Sequence, residues 1–195
     1  MTLTASHSVR TRGTLRTLRT RRTPPAFVPV SAREAWRRSA YAVIALPLGL
    51  ASIGLVLGGG SARAARLQFA AARRFLDPGS TGASYAAGAS SAAGAAARTP
   101  GAARVLAHGV LNGALGVPTL ILTGYAYGNT IRNLTYPVWY GDSDYHQAWG
   151  GPTLGGVWAV HALGGLAFFA VCLCLVKVLT NAQAGLTRRV LGGTA

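Results

Sequence analysis

Carboxylates are scarce in this chain: Glu34, Asp77, Asp142 and Asp144 are the only acidic side chains in 195 residues. Four acids leave little for general acid–base chemistry, and no HExxH, GxSxG or Walker loop offers another route. No catalytic residue is assigned and no enzyme is expected. Cysteine is scarcer still. Cys172 and Cys174 stand two apart inside an apolar run, so on a helix they face different directions and neither bridge each other nor share a metal. With no Cys/His ligand spacing elsewhere, no metal and no cofactor is expected.

Also lacking is any sustained polar stripe at helical spacing within the apolar blocks, so these segments read as helices apolar all round, which belong in lipid. Ala40–Leu57, His108–Tyr127 and Leu154–Leu179 are the blocks, and at 1.5 Å per residue each approaches or exceeds the roughly 30 Å of a hydrocarbon core. The expected fold is an all-α integral membrane protein. It has a transmembrane helical hairpin (about 107–128 and 153–180), an N-terminal membrane helix (about 33–58) and a basic amphipathic helix (about 61–76).

What is abundant is positive charge. Lys and Arg number 19 and the net charge is +15. Such a balance suits nucleic acid, yet the basic residues fall outside the apolar blocks, where membrane topology places them. The lipid bilayer is the expected partner, and nucleic acid is not. Residues 1–30 are Thr, Arg, Ser and Pro with few hydrophobics, a composition that buries no core and reads as a disordered basic tail. Residues 31–195 form the membrane domain, interrupted by a low-complexity Ala/Gly/Ser linker at 80–101.

Local signals place the elements. Ser31 and Glu34 have the form of a capping box opening the first helix, and Trp36 and Tyr41 suit an interfacial belt. Arg63, Arg66, Arg73 and Arg74 cluster on one side of a helical projection away from Phe69, Phe75 and Leu76, the pattern of a helix lying in a membrane interface. Pro118 predicts a kink in its helix. Gly54-xxx-Gly58, Gly109-xxx-Gly113, Gly124-xxx-Gly128 and Gly151-xxx-Gly155 have the small-xxx-small spacing that lets helix backbones approach. Gly109, Gly113, Gly124, Gly128, Gly151 and Gly155 are therefore the candidate packing glycines, and a homo-oligomer is one use for them.

Charge also predicts topology. With the N-terminus, residues 61–106 and the C-terminal tail in the cytoplasm, eighteen of the nineteen basic residues lie inside and only Arg132 outside. That arrangement requires the first block to enter and return, at Pro47 or at Gly58-Gly59-Gly60, or to lie shallowly. A three-span path stays open as the alternative. The expected location is the cell membrane, multi-pass, with both termini cytoplasmic.

The loop between the last two blocks holds the candidate sensing residues: Tyr136, Trp139, Tyr140, Asp142, Asp144, His146 and Trp149. Aromatic rings with acids can take a cation, a lipid headgroup or a peptide; the plainer reading is an interfacial belt around a turn. His161 joins them as an ionisable residue inside an apolar segment. Its plainer reading is a neutral ring bonded between helices, to Asn112 or Thr123.

The runs Ala35-Trp-Arg-Arg-Ser-Ala-Tyr41, Ala45-Leu-Pro-Leu-Gly-Leu50, Leu134-Thr-Tyr-Pro-Val-Trp-Tyr140, Trp149-Gly-Gly-Pro-Thr153 and Trp158-Ala-Val-His-Ala-Leu-Gly-Gly165 resemble the sensor domain family of actinobacterial membrane proteins. That domain is common at the N-terminus of two-component histidine kinases and is sometimes found alone. The resemblance implies two transmembrane hairpins, the second with an aromatic outer loop. Here Gly-Gly-Gly and an Arg-rich segment follow Leu57, so the first hairpin is shortened. It also implies a non-catalytic sensor that passes a change in helix packing to a separate cytoplasmic partner such as a histidine kinase. A small structural or accessory membrane subunit is the alternative.

Overall fold

The computed structural model describes residues 30–76 and 100–191, and these are all helix, turn or connection, with no strand among them. The basic tail and most of the linker, assigned above to 1–30 and 80–101, lie outside the described residues. Among the described residues there are five helices: α1 (Ala32–Leu57), α2 (Ser61–Phe75), α3 (Ala102–Leu134), the single-turn α4 (Tyr136–Tyr140) and α5 (Leu154–Val190). The all-α membrane fold is what the sequence predicts. By length and composition α1, α3 and α5 can each cross a membrane.

α1 opens as a capped helix, Ser31 accepting from the Glu34 amide at 3.2 Å. Only half of the expected capping box forms. The Glu34 carboxylate turns away from the Ser31 amide to Arg38 at 2.9 Å and Lys177 at 3.4 Å, because two cations are stronger partners than one amide. The helix continues through Pro47, so the first block does not re-enter there. The reversal comes at the glycines. Gly59 takes φ +81°, the Gly60 amide donates to Leu55 O at 2.7 Å and the Gly59 amide to Val56 O at 3.0 Å. This is a Schellman stop, which needs a residue free to adopt a left-handed backbone.

α2 then runs back antiparallel along α1. Its Gln68 reaches Ser52 and Leu48 of α1, and further along the Arg74 carbonyl accepts from Arg37. Ala64, Ala65 and Ala72 are buried while Arg63, Arg66, Arg73 and Arg74 are exposed, so the helix presents small side chains to its neighbour and its cations outward. The basic amphipathic helix is thus the returning arm of a short hairpin.

α3 and α5 are longer than expected, 33 and 37 residues or roughly 50 and 55 Å. Apolar content marked only their middles; their polar ends continue the helix. They run antiparallel, with Asn133 against Gly165 near one end and His108 bonded to Thr187 near the other. α1 also packs antiparallel to α3, through glycine. A Cβ on Gly49 would stand 2.9 Å from Gly109 O and Gly113 Cα, and one on Gly116 would stand 2.9 Å from Leu46 N. The α1/α2 hairpin is set toward the far end of the α3/α5 pair, where Leu55 and Val56 pack with Ala64, Ala65, Val105 and Leu191. The start of α1 lies beside Lys177, Thr180 and Asn181 of α5.

The helices are not apolar all round, as the sequence reading has them. Their polar stripe faces inward: His108, Asn112, Thr119, Thr123 and Thr130 of α3 and Thr180, Gln183 and Thr187 of α5 are buried, while Leu50, Ile121, Leu163 and Val178 are more than half exposed. Lipid-facing helices put carbon outward and keep hydrogen-bonding groups for each other.

Candidate functional site

At the end of the α3/α5 pair remote from Gly58–Gly60, a continuous stack of rings joins three helices. Tyr136 of α4 lies on His161 of α5 with centroids 4.2 Å apart and planes at 28°, and on Tyr140 at 4.6 Å and 17°. The Arg132 guanidinium of α3 caps the stack, 5.7 Å from the Tyr140 ring centre, and also donates to the Tyr140 hydroxyl. Pro137 in its first turn suits so short a helix, since proline needs no amide partner there. Two tryptophans fix the corner. Trp158 Nε1 donates to Leu134 O at 2.8 Å, satisfying a carbonyl left open where α3 ends, and Trp139 Nε1 donates to Thr135 Oγ1 at 2.9 Å.

His161 is therefore about two turns from the start of α5, against the loop. Its Nδ1 bonds Val157 O at 2.8 Å; a carbonyl only accepts, so Nδ1 carries the proton. The expected partners Asn112 and Thr123 are elsewhere: Asn112 sits in the core, and Thr123 bonds its own helix at Thr119 O.

The other loop residues form a second, separate group. His146 stacks on Tyr145, centroids 4.9 Å apart, and its ring and amide both contact Asp144 Oδ1, at 3.0 and 3.1 Å. The His146 amide, then its ring, hold the Asp144 carboxyl below the ordinary carboxylate range. Asp142 is exposed, and Trp149 is 84% exposed. Among the described residues no three metal-ligating side chains converge. Gly151 lies under the loop, where a Cβ would meet His146 O, whereas Gly124, Gly128 and Gly155 have nothing among the described residues within 4 Å of a Cβ.

The sequence reading missed a polar cluster between α1, α2, α3 and α5. Tyr41 Oη donates to Asn112 Oδ1 at 3.3 Å, Asn112 Nδ2 to Gln68 Oε1 at 3.3 Å, and Gln68 Nε2 to Ser52 Oγ at 2.8 Å. Gln183 Nε2 donates to the Asn112 carbonyl at 3.3 Å, and His108 Nε2 meets Thr187 Oγ1 at 3.0 Å. All but Thr187, at 2%, are 0–1% exposed. His108 Nδ1 and Gln183 Oε1 have no hydrogen-bond partner among the described residues. The signal for this cluster was present as polar residues three or four apart inside apolar helices, His108 with Asn112 and Gln183 with Thr187, a spacing that places each pair on one face.

The molecule thus has an aromatic end, a polar middle and a basic end that carries Arg63, Arg66, Arg104, Arg188 and Arg189. No curated protein and no solved structure matches the chain. The family described as "Putative sensor" does, over residues 53–191, which take in the last turns of α1 and everything described after it. The runs at 35–41 and 45–50 precede that match, while those at 134–140, 149–153 and 158–165 fall inside it. Residues 53–191 are more than half of the chain, and the protein belongs to this sensor family.

Proposed function

We propose that the protein is a non-catalytic membrane sensor that receives its signal at the aromatic end and passes it on as a change in helix packing. The observation that carries this is the stack Arg132–Tyr140–Tyr136–His161. It couples a surface turn to both long helices, so anything that displaces Tyr140 or Trp139 also moves His161 and the start of α5. From there α5 runs to Thr180, Gln183 and Thr187, whose hydrogen bonds reach α1 and α3. A shift of α5 along its axis changes these bonds and the basic end beyond them. The aromatic end would face outward and the basic end the cytoplasm, the distribution that membrane topology favours. In this reading the receiver is a separate cytoplasmic protein such as a histidine kinase, the kind of partner that the resemblance to kinase sensor domains suggests.

The test is a transcriptional reporter of that output in the native host, with Tyr136→Ala, Tyr140→Ala and His161→Ala each expressed at wild-type level. Loss of the response, or a response locked on, is the expected result. An unchanged response in all three sinks the reading and leaves an accessory membrane subunit as the better description.

A further inference from the structure

The aromatic end has an unfilled groove along α3. Lower on this helix, the glycine face is filled: Gly109, Gly113 and Gly116 pack against α1. Nearer the aromatic end the contacts thin out. Tyr127 still bonds Ser39, but Gly124 and Gly128, spaced like the packing glycines, have no atom of the described residues within 4 Å of a Cβ position. Gly128, Ile131, Arg132, Trp139 and Tyr140 enclose a recess of about 510 Å³. A second recess, of about 470 Å³, shares Gly128 and Arg132 with it and continues past Asn129 to Gly124, Tyr125 and Ile121. From Ile121 to Arg132 is roughly 16 Å along the helix. One end of this groove is carbon and absent side chains. The other end is a guanidinium flanked by an indole and a phenol.

We propose that this groove binds an anionic phospholipid, with its phosphate at Arg132 and Asn129 and an acyl chain along Gly128, Gly124 and Ile121. Arg132 carries the charge argument. Among the described residues it is the single basic side chain at the ring stack, against the rule that gathers cations at the other end, and no carboxylate there pairs with it. A guanidinium bonded only to a neutral phenol, beside an apolar groove, is complementary to a phosphate joined to a hydrocarbon chain. Trp139 and Tyr140 supply the amphipathic rings that sit at headgroup level. The inference rests on reading the aromatic end as the receiving end: the lipid would hold Arg132, and through it the ring stack, in one arrangement.

The test is phosphatidylglycerol binding to the purified full chain by native mass spectrometry, with phosphatidylcholine as the reference lipid. Arg132→Gln should weaken phosphatidylglycerol retention about tenfold, the loss of one charge-assisted contact, and leave phosphatidylcholine unchanged. Arg132→Lys should recover most of it, which also shows that the fold persists. Gly128→Leu should displace the lipid by filling the groove with Arg132 intact, while Arg63→Gln with Arg66→Gln at the basic end should change nothing. Equal retention by wild type, R132Q and G128L overturns the proposal. So does full competition by glycerol phosphate without acyl chains, which would make the site one for a free anion. Because binding is read without any signalling output, lipid retention that depends on Arg132 alongside an indifferent reporter would sink the sensing role and leave the lipid site standing.

Discussion

The side chain of Asn112 accepts from Tyr41 and donates to Gln68, while its backbone carbonyl accepts from Gln183. One residue of α3 thereby connects α1, α2 and α5. In a hydrocarbon surrounding, a polar atom left unpaired has no water to turn to. Replacing Asn112 with Leu keeps the volume roughly but orphans the Tyr41 hydroxyl and the Gln68 carbonyl. The expected cost is about 1–3 kcal/mol, read as a lowered unfolding midpoint in mild detergent; an unchanged midpoint would mean the cluster contributes no stability. His108 and Gln183 each already hold one acceptor without a partner among the described residues.

At the scale of elements, the contact between α1 and α3 is set by glycine on both sides. Gly49 faces Gly109 and Gly113 backbone to backbone, with no flexible side chain between them to give way. Gly49→Leu should force the helices apart, lowering the thermal midpoint and loosening the α1/α2 hairpin enough for protease to cut it; unaltered stability and protease resistance would show that the two helices do not depend on close approach. Gly109 and Gly113 stood out in sequence through their four-residue spacing. Gly49 and Gly116 did not, since neither stands four residues from another glycine. The membrane helices were legible because an apolar run long enough to span is hard to use otherwise. Their true ends were not, because residues such as Thr180, Gln183 and Thr187 look like a departure from the bilayer and are in fact buried against neighbours. Likewise the Arg spacing of α2 revealed an exposed basic face and Phe69, Phe75 and Leu76 marked the side that packs, but no local pattern named α1 as the surface that its Ala64, Ala65 and Gln68 cover. In the loop, the rings were visible as composition. The order in which they stack depends on the turn of α4 and on the start of α5, which no local pattern specifies.

For the whole molecule, the layout is polarised. Among the described residues Arg132 is the one cation at the ring stack, and Arg63, Arg66, Arg104, Arg188 and Arg189 lie on the helix turns at the other end. The account places these ends on opposite sides of the membrane, with the ring stack outside and the basic helices within. The most direct test is single-cysteine labelling in intact cells at Ser143, in the turn after α4, and at Arg66, on the exposed face of α2, with Cys172 and Cys174 replaced by alanine. The account predicts that Ser143→Cys reacts with a membrane-impermeant maleimide from outside, and Arg66→Cys only after permeabilisation. Labelling of both from outside, or protection of Ser143→Cys, would contradict it.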